Sequence, residues 1–67
     1  MQLLLLPVAR RYDLMLQVGD VAGVSDAVAA ECLVQTRWNR TAAIALAKPL
    51  AGLDEADALA QLDGVEE

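Results

Sequence analysis

The side chains best suited to chemistry in this chain are three closely spaced carboxylates, Asp54, Glu55 and Asp57, and a single thiol, Cys32. Three carboxylates could ligate a hard cation or work as an acid–base pair. Calcium loops, however, alternate their ligands about a central glycine and close on a distant bidentate glutamate, a spacing absent here. An acidic run ahead of a helix complements the positive end of the helix dipole and stays solvated. Cys32 has no second cysteine to pair with, and the chain has no histidine. An internal disulfide, a Cys/His zinc cluster and a histidine acid–base couple are therefore closed. A lone cysteine on the apolar side of a helix packs as a small hydrophobe, and Arg10 and Arg11 read as solvated charge. No catalytic residue, metal ligand or cofactor is expected, and the chain does not read as an enzyme.

The elements that would carry any other function are set by glycine and proline. Pro7, Gly19, Gly23, Pro49, Gly52 and Gly64 divide the sequence into segments of helical length, without repeats or a low-complexity linker. A first helix is expected after Pro7, running to about Val21, with Leu14, Met15, Val18 and Val21 on one face. Gly19 should loosen its last turn or end it early. Ser25 is a candidate N-cap for a second helix from Asp26 to about Thr36, with an apolar stripe of Val28, Ala29, Cys32 and Leu33, while Glu31 and Gln35 face elsewhere. After a Trp38-Asn39 turn, Thr41 could cap a short third helix carrying Ala43, Ile44, Leu46 and Ala47. Pro49 should stop that helix by disfavouring the helical conformation at Lys48. Asp54 could cap a fourth segment with Ala56, Leu59, Ala60 and Leu62 as its apolar positions, Gly64 as its stop, and a frayed end from Val65 to Glu67.

With 67 residues there is room for one core, and 57% hydrophobic content without phenylalanine makes that core aliphatic. The fold expected is all-α, a small helical bundle. A net charge of −5 and a sequence pI near 4.3 disfavour nucleic acid as a partner. The Leu3 to Leu6 run is interrupted by Pro7 and ends at Arg10 and Arg11, too short for the roughly 20 apolar residues of a membrane span. Those arginines follow the apolar run, whereas a secretory signal would place charge before it. With one unpaired cysteine, this predicts a cytoplasmic or nuclear protein without a membrane partner. The leucine run should pack over the bundle; if exposed, it would mediate self-association, so the expected state is a monomer or a weak homodimer.

The stretch Val21-Ala22-Gly23-Val24-Ser25, then Val28-Ala29, Cys32-Leu33, Thr36 and Trp38-Asn39-Arg40-Thr41-Ala42-Ala43-Ile44, resembles the UBA-like (ubiquitin-associated) domains of ubiquitin-regulatory-X proteins and related adaptors. The resemblance covers residues 11–48 as a three-helix bundle. It leaves 1–10 as a Leu-rich N-terminal segment and 49–67 as an acidic C-terminal helix and tail. It implies a non-catalytic protein-interaction module, with Trp38 closing the core and with ubiquitin or another protein partner as ligand. In such domains the turn between the first two helices and the end of the third hold ubiquitin, which implies Ala22, Gly23 and Val24 together with Leu46, Ala47 and Leu50. The family's Met-Gly-Phe or Met-Gly-Tyr turn reads Ala22-Gly23-Val24 here, and the bulky residues late in helix three read Ala47 and Lys48, so the resemblance implies weak binding.

Two other readings compete. Trp38-Asn39-Arg40-Thr41-Ala42-Ala43 also resembles the start of a Fis-type helix-turn-helix, a DNA-binding fragment. A basic recognition helix should follow there, yet Leu53-Asp54-Glu55-Ala56-Asp57 brings carboxylates of the wrong sign toward phosphates. A purely structural or dimerisation helical domain is the second alternative.

Overall fold

Why the chain breaks into helices where it does is visible at each cap. The computed structural model describes residues 7–64. These contain α1 (Val8–Ala22), α2 (Asp26–Gln35), α3 (Arg40–Ala47), a 3-10 turn (Lys48–Leu50) and α4 (Glu55–Gly64). The all-α expectation holds: four helices and no strand are found among the described residues. The Leu3 to Leu6 run and the Val65 to Glu67 end lie outside them. Pro7 stands at the cap position before α1, with the extended φ of −59° and ψ of 148° that proline favours. α1 starts directly after it, at Val8, as the sequence indicates.

Gly23 ends α1 in the left-handed conformation, at φ 76°. Its N–H and that of Val24 both donate to the Gly19 carbonyl, at 2.9 and 3.1 Å, which satisfies an otherwise orphaned end of the helix. Gly19 neither loosens nor ends α1, contrary to the sequence expectation. It is buried, and a Cβ there would lie 3.1 Å from the Val24 carbonyl oxygen and 3.7 Å from the Ala29 methyl. The missing side chain is what lets α2 approach α1, and tertiary contact outweighs glycine's low helix propensity. Val21 also differs from expectation. It is 54% exposed, and Ala22 takes the core position instead, because the face centred on Val18 recurs four residues on rather than three.

Ser25 caps α2 as the sequence indicates, its hydroxyl accepting from the Val28 N–H at 3.3 Å. For α3 the cap is Asn39, not Thr41: Asn39 Oδ1 accepts from the Ala42 N–H at 2.9 Å. Asparagine is the stronger capping residue, and its use starts the helix early enough to enclose Thr41. Pro49 does end α3 at Ala47, but Lys48 keeps helical angles (φ −53°, ψ −45°) and the chain tightens into the 3-10 turn. Proline is tolerated at the start of such a turn, where its missing N–H has no partner to lose.

Helices α1, α2 and α3 each pack on the other two, and α4 packs on α2. The core is Val18, Ala22, Val28, Ala29, Cys32, Leu33, Ala43, Ala47, Leu50, Ala58 and Leu62. Alanine and cysteine make up more than half of it, so the helices approach closely and the stability rests on a few aliphatic side chains, each contributing about 1.5–3 kcal/mol on full burial. On α4 the buried positions are Ala58 and Leu62, with Leu59 half-buried; Ala56 and Ala60 face solvent, one position off the expected stripe. Glu31 and Gln35, expected to point away from the core, point at α4. Gln35 Nε2 donates to Glu31 Oε2 at 3.2 Å and to the Leu62 carbonyl at 3.0 Å, fixing the end of α4 against the end of α2.

Candidate interaction surface

The α1–α2 turn and the segment after α3 come together. An added Cβ on Gly23 would meet the Ala51 methyl at 3.8 Å, so the left-handed turn abuts the end of the 3-10 turn. Between them lies a small cleft of about 80 Å³, bordered by Gly23, Val24, Leu50, Leu53, Glu55 and Ala58. Gly23 is exposed, Val24 half-buried and Leu53 38% exposed. Aliphatic residues supply most of its walls, but Ser25 and Glu55 also line it and the surface it exposes is more polar than apolar. Its size suits one or two apolar side chains of a partner, not an enclosed small molecule.

The six residues implied by the resemblance divide by depth. Gly23, Val24 and Leu46 remain accessible, the latter two half-buried. Ala22 (7% exposed), Ala47 (0%) and Leu50 (6%) belong to the core. Alanines at helix crossings have little side chain to offer once neighbouring helices close over them. Leu50 reaches the surface only as a wall of the cleft. The exposed residues that sequence reasoning missed are Ala51 and Leu53. Their signal was a leucine immediately after a glycine break, a position with no helix face to bury it.

The candidates for chemistry sit apart from one another. Asp54 precedes α4, its carbonyl accepting from the Ala58 N–H at 2.9 Å, and Glu55 and Asp57 occupy the first turn, all three exposed. No cluster of three or more potential metal ligands occurs among the described residues. Cys32 is fully buried, and desolvation, with the nearby Glu31 charge, raises its thiol above the ordinary value of 9.0. A thiol so placed is protonated at neutral pH and acts as packing. Trp38 is half-buried against the core rather than sealed within it, with the Arg11 guanidinium 5.8 Å from its ring centroid, a cation–π distance. No described helix is long and apolar enough to cross a membrane.

In comparisons with known proteins, the chain gives no significant match to any family model, curated protein or solved structure.

Proposed function

We propose that this chain is a non-catalytic protein-interaction module of UBA-like type, acting in the manner of an adaptor and binding ubiquitin weakly or a related protein partner through an apolar surface. The observation that carries the reading is the juxtaposition of the exposed, left-handed Gly23 turn with Ala51 after α3. A flat aliphatic patch on a partner needs a receptor whose backbone can approach closely beside small apolar groups, and a glycine turn next to Val24 and Leu53 supplies that. The proposed contact set is Gly23, Val24, Ala51 and Leu53 around the cleft, with Leu46 added from the resemblance. A surface this small, without an aromatic anchor, supports weak affinity. The compartment proposed with this function is cytoplasmic or nuclear.

The test is binding of ubiquitin to the wild-type chain and to Val24→Ser and Leu46→Ser, half-buried positions packed against the core, with the fold of each variant checked by its amide spectrum. The reading expects a wild-type Kd of about 0.1–1 mM, weakened at least about threefold by each substitution. Unchanged affinity in folded variants would remove the surface from consideration.

A further inference from the structure

The five basic residues of this chain are unevenly placed. Arg10 and Arg11 stand on α1, Arg37 in the α2–α3 turn, Arg40 on α3 and Lys48 on the 3-10 turn. Helices α2 and α4, which pack on each other, carry none of them and hold Asp26, Glu31, Glu55, Asp57 and Asp63. Glu66 and Glu67 follow α4 in the sequence and add two more carboxylates. Arg37, two residues past the end of α2, has an exposed side chain that makes no hydrogen bond or ion pair to any described residue, so it neutralises neither Glu31 nor Asp63 by direct contact. Arg40 is engaged elsewhere, donating to Gln17 on α1. One packed pair of helices is thus purely acidic.

Helix α4 is apolar over more of its circumference than the bundle covers. Ala58 and Leu62 are buried. Ala56, Leu59, Ala60 and Asp63 recur at the i, i+3, i+4, i+7 spacing and share a second, adjacent face. On that face Ala56 and Ala60 are exposed and Leu59 is half-buried. Three apolar positions that periodicity assigns to a core are therefore left at the surface of the described residues.

An open groove of about 430 Å³ lies along this face, lined by Ala56, Leu59, Ala60 and Asp63 of α4 and by Glu31 of α2. The surface it exposes is divided about evenly between polar and apolar atoms, and it shares no residue with the cleft beside Gly23. Glu31 is held at its edge by Gln35, which donates both to the Glu31 carboxylate and to the Leu62 carbonyl. With only methyl groups at positions 56 and 60, a further helix could approach α4 to the roughly 8 Å that small contact residues permit.

We propose that this groove docks a basic amphipathic helix of a partner protein, independently of the ubiquitin reading. The partner's apolar side chains cover Ala56, Leu59 and Ala60, and its lysines or arginines meet Glu31 on one flank and Asp63 on the other. Charge complementarity selects this occupant, because neither groove-forming helix carries a cation that would oppose it and the net charge of the chain attracts it. A second copy of the chain bringing the same face would set carboxylates against carboxylates, and a nucleic acid or an anionic membrane would be repelled.

The test titrates the labelled full chain, by amide NMR, with a helical peptide of about 14 residues built of Leu, Ala and Lys at amphipathic spacing, and with its glutamate-for-lysine counterpart. The expected result is shifts at Glu31, Ala56, Leu59, Ala60 and Asp63 with the lysine peptide alone, and a Kd below about 1 mM. Binding should weaken severalfold as salt rises from about 0.05 to about 0.3 M. Ala60→Arg, at an exposed helical position that accepts arginine, should weaken it at least about tenfold, and Asp63→Asn about threefold. Asp20→Asn, the same charge change on α1, should alter it less than about 1.5-fold. Absence of these shifts, an equal response to the glutamate peptide, or undiminished affinity in Ala60→Arg would overturn the proposal. Equal weakening by Asp20→Asn and Asp63→Asn would overturn it too, since the peptide would then be held by overall charge and not by the groove. So would groove shifts produced without peptide, either by raising the protein concentration or by Leu4→Asp, which would assign the groove to a second copy or to the chain's own leucine run.

Discussion

Among the described residues two turns adopt the left-handed conformation, and they do so with opposite chemistry. The α1–α2 turn uses Gly23, which reaches φ 76° without a Cβ to clash. The α2–α3 turn uses Arg37 and Trp38, two residues with bulky side chains, and must be held there by its surroundings. The restraints are visible: the Trp38 N–H donates to the Leu33 carbonyl at 2.6 Å and the Arg37 N–H to the Val34 carbonyl at 3.2 Å. The Thr36 hydroxyl donates to the Cys32 carbonyl at 2.8 Å. One turn is relaxed, the other clamped and built of large side chains. A glycine turn lets a partner's backbone approach; a strained turn fixes where an arginine and an indole stand. The aliphatic contact proposed for this molecule belongs to the first of these turns.

The largest effect should come from denying the first turn its glycine. Gly23→Val places a β-branched residue at positive φ and is expected to destabilise the fold by about 2 kcal/mol, read from urea unfolding, whereas Gly23→Asn should cost less than half of that. Equal losses in the two variants would show that the turn is not held left-handed in solution. Next in size is removal of the clamp on the second turn: Thr36→Ala or Asn39→Ala should each cost about 1 kcal/mol, measured in the same way. Smaller and of opposite sign, Arg37→Gly should stabilise by roughly 0.5–1 kcal/mol. A loss there would mean that the Arg37 side chain supports the fold.

The smallest effect concerns Cys32, whose carbonyl receives Thr36. Burial raises its thiol above 9.0, so the folded state holds the proton where the unfolded chain releases it. Stability is then complete below about pH 9 and falls as pH climbs from the unfolded value toward the raised folded one. Cys32→Ala should abolish that alkaline slope in urea midpoints recorded across the range. An unchanged slope would assign the alkaline loss to other groups.

The helices were legible because their signals are local. Ser25 before a run of helix formers and Gly23 after one mark a start and a stop, and the Val28, Ala29, Cys32 and Leu33 stripe states its face through periodicity alone. What sequence could not place depends on contacts between distant segments. Gly19 reads as a weak helix residue until Ala29 is set against it, and Gln35 reads as solvated until Leu62 arrives to accept its hydrogen bond. The same limit divided the implied contact residues. Ala22, Ala47 and Leu50 occupy the positions that the resemblance names, but a core rich in alanine draws its helices so close that these side chains are spent inside it. Leu53 and Ala51 became visible at the surface only once the fourth helix was docked on α2.

The most direct test of the account is a two-dimensional amide NMR titration of the labelled chain with unlabelled ubiquitin, which both detects millimolar binding and locates it. The account predicts shifts clustered at Gly23, Val24, Leu46, Ala51 and Leu53, with Arg37 and Trp38 silent. Silence at Gly23 and Val24 up to about 1 mM ubiquitin, or a response confined to Arg37 and Trp38, would contradict it.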